Sequence, residues 1–235
     1  MWQGRRVSVV FPAYNEESGI AAAVNDFVEL EAVDEVLVVD NNSRDATAER
    51  ALEAGARVVP ESRQGYGYAL RRGLAEADGE YIVLAEPDGT FMAKDVLKLL
   101  AYADDFDLVL GTRTTRELIW HGANMGWQLR WGNWIVAKLL QVLFGGPSLS
   151  DCGCTLRLVR HSAAERLLPR FTVGGSHFLP EMVCLALLEG QRLVEVPVNY
   201  RDRVGQSKIT GSARTTATVA ARMVALIVRY RLLGQ

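Results

Sequence analysis

Cysteine is scarce in this chain: three residues of 235, namely Cys152, Cys154 and Cys184. The number is odd and two of them stand two positions apart, which makes a poor disulfide framework and fits a reducing compartment. Glycine and proline are not enriched, at 21 and 7 residues, while 49% of the chain is hydrophobic, so disorder and low complexity are excluded. Charge of one sign is also missing. A formal net charge of −2 lacks the basic field that bulk nucleic-acid binding needs, and no nucleic-acid partner is expected. No stretch reaches the roughly 18 uncharged apolar residues of a membrane span; the two best candidates are interrupted by Lys138 and Arg222. The residues after Met1, Trp2-Gln3-Gly4-Arg5-Arg6, carry no signal-peptide core. The expectation is a soluble or peripheral protein on the cytosolic side.

What is present is an alternation of elements. Val7 to Phe11 is a short β-branched run stopped by Pro12, and Asn15-Glu16-Glu17 opens a helical pattern to about Leu30 with acids in its first turn. Glu35 to Val39 is a second strand closing on Asp40, with Asn42-Ser43-Arg44-Asp45 as a cap before another helix. Arg57 to Val59, Tyr81 to Ala85 and Asp107 to Leu110 read as further strands, with a helix from Gly65 to Ala77. Apolar strands alternating with helices predict an α/β fold with a mostly parallel sheet. Ligands of such sheets bind at the carboxyl ends of the strands. Tyr14-Asn15-Glu16, Asp40-Asn41-Asn42, Glu86-Pro87-Asp88 and Thr112-Arg113 gather at those ends. Each alone is an ordinary cap or turn, but four polar clusters on one edge point to a site.

The second half has a different composition. Four of the five tryptophans lie between residues 120 and 134, and Trp127, Trp131 and Trp134 share a helical stripe beside Arg130 and Lys138. Trp next to Lys and Arg is the composition of a membrane-interface anchor; the alternative is that the rings fill a core. In the tail, Arg214, Thr218, Arg222 and Arg229 form a narrow stripe opposite Val219, Met223, Leu226, Ile227 and Tyr230. That is a basic amphipathic helix, suited to an anionic surface or to docking on the domain.

Glu86-Pro87-Asp88 is the most informative triplet. Two carboxylates flanking one residue, on a turn after a buried strand, suit a hard divalent ion whose shell is completed by substrate phosphates. Together with Phe11-Pro12-Ala13-Tyr14-Asn15-Glu16-Glu17 and Val38 to Asp45, this turn resembles family 2 glycosyltransferases of the GT-A fold. Ser150-Asp151 through Arg157, Val196 to Tyr200 and Arg203-Val204-Gly205-Gln206-Ser207-Lys208 are similar to one branch, the dolichyl- or polyprenyl-phosphate sugar synthases. The resemblance spans about residues 5–210.

The resemblance implies a GT-A domain, read over residues 1–211; the residue pattern adds an amphipathic helix at about 123–144 within it and a basic helix over 212–235 after it. It implies nucleotide contacts at Pro12, Tyr14, Glu16, Asp40, Asn42 and Gly65, where backbone approaches the nucleotide. It also implies Mg²⁺ or Mn²⁺ at Glu86 and Asp88, although Glu86 stands where the family has aspartate. Arg113 and Arg130 would meet the acceptor phosphate, Asp151 belongs to the same catalytic set, and Arg203 and Lys208 lie in a loop closing over the diphosphate. A phosphate acceptor is already anionic and needs cations and a metal rather than a base. The implied reaction is inverting transfer of a hexose from a donor of GDP-mannose or UDP-glucose type to a polyprenyl or dolichyl phosphate. It would take place peripherally, at the cytosolic membrane face. Two alternatives stay open: a saccharide-hydroxyl acceptor with Asp151 as base, or an inactive nucleotide-binding subunit that recruits a membrane-embedded partner. Cys152-Gly153-Cys154 lacks a second ligand pair at zinc spacing, and His177 reads as structural.

Overall fold

The computed structural model describes residues 1–123, 126–204 and 213–234, without the side chains of 127–129 and 213–217. Its strands are β1 (Val7–Ala13), β2 (Glu35–Asp40), β3 (Arg57–Pro60), β4 (Tyr81–Leu84), β5 (Leu108–Thr112), β6 (Arg157–Arg160) and β7 (Leu193–Pro197). They form one sheet in the order β3-β2-β1-β4-β6-β5-β7. Every neighbouring pair is parallel except those of β6, which runs antiparallel to both β4 and β5. The mostly parallel sheet expected from the sequence is therefore present. β6 escaped the sequence reading because its four residues are bounded by arginines, yet Arg157, Leu158 and Val159 are all fully buried.

Both faces of the sheet are covered, which is why its strands read as continuous apolar runs. Val9, Phe11, Val36, Val38, Tyr81 and Val83 point to a core closed by α1 (Ile20–Val28), α2 (Thr47–Glu53) and α4 (Asp95–Leu100). Val10, Leu37, Val39, Ile82 and Leu84 point to the opposite core. That core is closed by α3 (Tyr66–Glu76), α5 (Trp127–Phe144), α6 (His161–Leu167), α7 (Phe178–Leu188) and α8 (Ala213–Leu233). The period of two along each strand decides which residue serves which core.

The first helix departs from the sequence-based expectation, and α8 and α5 choose between alternatives that the sequence leaves open. The first helix starts at Ile20, not at Asn15–Glu17. Asn15 has a φ of +52°, and the N–H groups of Asn15, Glu16 and Glu17 donate to Ser43 Oγ, Thr47 Oγ1 and Asp45 Oδ2 at 3.0, 2.8 and 3.3 Å. The loop is tied to its neighbour across the sheet edge instead of winding into a helix. In α8, the apolar face faces inward: Leu226, Ile227 and Tyr230 are core residues. The exposed side carries Val224, Val228 and Leu232 among Arg222, Arg229 and Arg231. On α5, Val136, Ala137 and Leu140 are buried while Trp131 and Trp134 are 58% and 41% exposed, so these two rings do not fill the core. Among the described residues, no helix is long and apolar enough to cross a membrane.

Packing of α3 on the sheet depends on Gly73. A Cβ there would lie 2.2 Å from Val10 Cγ1 and 3.3 Å from Val39 Cγ2. Alanine in mid-helix gains about 1 kcal/mol over glycine, whereas forcing a methyl into a filled core costs about 1–3 kcal/mol. Gly73→Ala should therefore leave stability unchanged or lower it by up to about 2 kcal/mol in urea denaturation. A gain approaching 1 kcal/mol would show that α3 can lift from the sheet at no cost.

Candidate active site

The carboxyl ends of β1, β2 and β4 form one cleft. Pro12 lies opposite Val39 and Ala13 opposite Asp40 in the β1–β2 register. Asp40 Oδ1 is buried and has no hydrogen-bond partner among the described residues, an acceptor suited to a base N–H or ribose hydroxyl. Asn41 next to it is buried and organises the floor: its Nδ2 donates to the carbonyls of Glu61 and Arg63, and its Oδ1 accepts from Gly65 N at 2.7 Å. Asn42 is exposed, in the left-handed region with φ +63°, and donates to the Ser62 carbonyl at 3.0 Å. Gly65 has φ +152°, and a Cβ there would fall 2.2 Å from the Gly174 carbonyl oxygen. The glycine is thus required by the 174 loop, a constraint beyond the close nucleotide approach expected from the sequence.

At the end of β4 the two acids differ. Asp88 is 1% exposed. Its Oδ1 accepts from Thr90 N and Oγ1 at 3.0 and 2.6 Å, while its Oδ2 is buried without a hydrogen-bond partner among the described residues. Arg203 Nη1 lies 3.2 Å from that oxygen and Arg203 Nη2 lies 3.5 Å from Glu16 Oε1, so a guanidinium supplies the cation facing both acids. The Val204 N–H fastens the same segment to the Asp88 carbonyl at 2.8 Å. Glu86 Oε1 accepts from Thr155 Oγ1 at 2.8 Å and from Tyr66 Oη at 3.3 Å. Burial, then the charge of Asp88, pushes the Glu86 carboxyl up to about 7. Among the described residues no three His, Cys, Asp or Glu side chains converge to hold an ion. Asp88 Oδ2, facing the Arg203 guanidinium, and Glu86 beside it fit a hard cation that takes its remaining oxygens from a substrate.

Arg113 and Asp151 form a bidentate pair, Nε to Oδ2 at 2.7 Å and Nη2 to Oδ1 at 2.9 Å, with the Arg113 N–H also donating to Oδ2. Burial raises the Asp151 carboxyl, and Arg113 more than reverses this, holding it below the usual carboxylate range. Asp151 is fully buried and committed to Arg113, so it is not placed as a base facing the cleft. The Tyr200 ring packs 5.1 Å from the Arg113 guanidinium, and Glu195 grips the backbone N–H groups of Ser150 and Asp151 at 2.8 Å. Arg130 donates to the Thr114 carbonyl at 3.0 Å and lines a separate cavity of about 390 Å³ with Arg116, Trp131 and Trp134.

Of the residues singled out in the sequence, Glu16, Glu86, Asp88 and Arg203 come together, and Arg113 joins Asp151. Arg130 opens on the tryptophan cavity. Tyr14 is half-buried on the loop after β1. Lys208, with Gly205 to Ser207, lies outside the described residues. His177 is half-buried before α7, its pKa held low by burial and by Arg222. Sequence reasoning missed Tyr66, Thr90, Thr155 and Glu195, whose roles are made by contacts across the fold; only Tyr66, next to Gly65, carried a positional hint.

A model of glycosyl transferase family 2 matches residues 8–168. The chain is 35% identical over 214 residues to an uncharacterized glycosyltransferase of Mycobacterium tuberculosis, covering 90% of this chain and 93% of that one. It is 31% identical over 206 residues to the dolichyl-phosphate hexose transferase of Haloferax volcanii, covering 86% of each. It is also 31% identical to the low-salt glycan biosynthesis hexosyltransferase of that organism, over 86% of this chain but 49% of that protein, and so spans about half its length. Among solved structures, glucosyl-3-phosphoglycerate synthase from M. tuberculosis in complex with uridine diphosphate has a TM-score of 0.75. It is 21% identical, with 97% of this chain and 80% of that one covered; at that identity the likeness is one of fold.

The raised Glu86 carboxyl has a consequence for stability. Between its ordinary value of 4.5 and about 7, the folded state keeps a proton that the unfolded state has lost. Stability of the metal-free protein should therefore fall as pH rises through that window. Urea denaturation in chelator at about pH 5 and about pH 7 should show a larger drop for the native chain than for Glu86→Gln. Equal drops would mean that Glu86 titrates as an ordinary carboxylate.

Proposed function

The chain belongs to glycosyl transferase family 2, and from that membership we propose that it transfers a hexose from a nucleotide-diphosphate sugar to a polyprenyl or dolichyl phosphate at the cytosolic face of a membrane. The observation that carries this reading is Asp88, buried at the end of a central strand with one carboxylate oxygen that has no hydrogen-bond partner among the described residues and faces Arg203. The similarity to a relative named as a dolichyl-phosphate hexose transferase supports the acceptor class.

Asp88, with Glu86 beside it, would hold Mg²⁺ or Mn²⁺, which when bound stabilises the charge on the departing diphosphate. Asp40 Oδ1 would receive the nucleoside's donors, with Pro12, Tyr14, Asn42 and the Gly65 backbone walling its site. Arg203, already facing Asp88 and Glu16, would turn to the diphosphate oxygens together with Lys208. Arg113 keeps guanidinium N–H groups beyond those given to Asp151 and would meet the acceptor phosphate, with Arg130 on the adjoining cavity. The phosphate oxygen bonds to the anomeric carbon as the bond to the nucleoside diphosphate breaks, with inversion. The commitment of Asp151 to Arg113 favours this acceptor over a hydroxyl, which needs a base to take its proton.

The direct test incubates the protein with radiolabelled nucleotide sugars, Mn²⁺ and short polyprenyl phosphates, followed by organic extraction. One donor should label the lipid phase, and Asp88→Ala should cut the rate by at least about 100-fold. Full activity of Asp88→Ala in chelator, or label appearing only on a saccharide, would overturn the reading.

The membrane surface is testable separately. Trp131, Trp134, Ile135 and Val142 of α5 and Val224, Val228 and Leu232 of α8 are exposed, beside the exposed Arg222, Arg229 and Arg231. Co-sedimentation with anionic vesicles is expected at low salt, with release at high salt. Replacing Trp131, Trp134 and Leu232 together by serine should weaken binding by at least about tenfold, the loss of ~1.4 kcal/mol or more of apolar burial. Its melting temperature should stay unchanged. A folded native chain that ignores anionic vesicles would end the peripheral-membrane reading.

A further inference from the structure

Glu86 is one methylene longer than the aspartate that the family resemblance leads one to expect, and the structure holds its carboxylate in a specific way. Thr155 Oγ1 lies 2.8 Å from Glu86 Oε1 and 2.7 Å from Tyr66 Oη, and Tyr66 Oη lies 3.3 Å from the same Oε1. The three groups come from separate parts of the chain: Tyr66 opens α3 next to Gly65, Glu86 follows β4, and Thr155 precedes β6. Thr155 is 2% exposed. A phenol keeps its proton at neutral pH, so Tyr66 is a donor.

The proton count gives this triangle a direction. Each hydroxyl has one proton. Thr155 spends its proton on Oε1, and Tyr66 directs its own to Thr155 Oγ1 or to Oε1 itself. Every hydroxyl contact of Glu86 among the described residues therefore falls on Oε1, and the carboxyl meets Asp88 as well. An untethered glutamate would have to give up rotamer freedom when it engages a ligand. Here the two hydroxyls have already fixed it. Outer partners that orient a ligating group in this way commonly govern metal affinity.

We propose that Tyr66 and Thr155 are positioning residues for a divalent cation: they hold Glu86 by Oε1 so that Oε2 is the oxygen presented beside Asp88 Oδ2. This rests on the metal reading of the Glu86–Asp88 turn. It also explains how a longer acid serves at that position, since the hydroxyl pair takes up the added length and selects the oxygen.

The test is titration of the full chain with Mn²⁺ alone, read by the loss of the free-ion electron paramagnetic signal, beside a melting curve for each variant. Tyr66→Phe and Thr155→Val should each weaken Mn²⁺ binding about tenfold, and Thr155→Ser, which keeps the hydroxyl, should restore it. In a Glu86→Gln background the same substitutions should change Mn²⁺ affinity by less than about twofold, because the group they act through is gone. An equal loss in both backgrounds would make the hydroxyls general supports of the fold and overturn the proposal. Asp88→Ala separates the two ideas. If it abolishes Mn²⁺ binding while Tyr66→Phe and Thr155→Val leave affinity intact, the positioning role alone fails. If Asp88→Ala changes nothing, the metal reading fails and the positioning role falls with it.

Discussion

Two carboxyl groups set two residues apart at the end of a buried strand impose the constraint on which this cleft is built. Glu86 and Asp88 cannot both stay ionised at low dielectric without compensation. The protein meets the demand with different chemistry on each. Asp88 receives two hydrogen bonds from Thr90 on one oxygen and faces Arg203 with the other. Glu86 leans on two hydroxyls and is held in its proton-bearing range. Arg203 is a cation on a tether: it balances Asp88 and Glu16 from a segment fastened by Val204 to the same turn. A divalent ion at Oδ2 and this guanidinium would compete for one position, so filling the site requires Arg203 to find other anionic partners.

The neighbouring loop is shaped by a second buried charge. Arg157 is fully buried, and its hydrogen bonds go to the carbonyls of Cys152, Cys154 and Leu179 and to the sulfur of Met182. Burial lowers its pKa, and the carbonyls it collects fix residues 152–154 between Asp151 and Thr155. Glu195 holds the start of the same loop through Ser150 and Asp151. One short segment thereby presents Asp151 to Arg113 and Thr155 to Glu86 at once. Cys152 and Cys154 serve here through their backbone; their thiols are buried, and that of Cys154 is pushed up to about 12, which suits packing and not metal binding.

Periodicity made the parallel part of the sheet legible, because Val7 to Phe11, Glu35 to Val39 and Tyr81 to Ala85 are apolar runs ending in polar clusters. It could not reveal β6, whose burial of Arg157 contradicts the usual meaning of an arginine, nor the partners of that guanidinium. Asp40, Glu86 and Asp88 were legible because strand ends are where such sheets place ligands. Tyr66 and Thr155 were not, since each becomes meaningful only when 89 residues of sequence separation are closed to 2.7 Å. The tail shows the limit of a helical wheel. Its most apolar side, with Leu226, Ile227 and Tyr230, suits either a membrane or the domain by sequence and is core in the structure; the wheel measures amphipathicity but does not say what the apolar side meets.

The same helix also links the two ends of the molecule. Tyr230 donates to the buried Glu181 at 2.7 Å, and Glu181 accepts the N–H groups of Thr172 and Val173. The next residue, Gly174, accepts from Gly67 N at 3.0 Å and blocks any side chain at Gly65. The loop at Gly65 is therefore backed by a polar chain that ends on α8, whose far side carries Val224, Val228 and Leu232. A carboxylate that is fully buried must be satisfied, and among the described residues its donors are Thr172, Val173 and Tyr230. Its hydrogen bonds connect α8 through residues 172–174 to the backbone beneath Gly65, so the helix is tied into the fold behind the Gly65 loop.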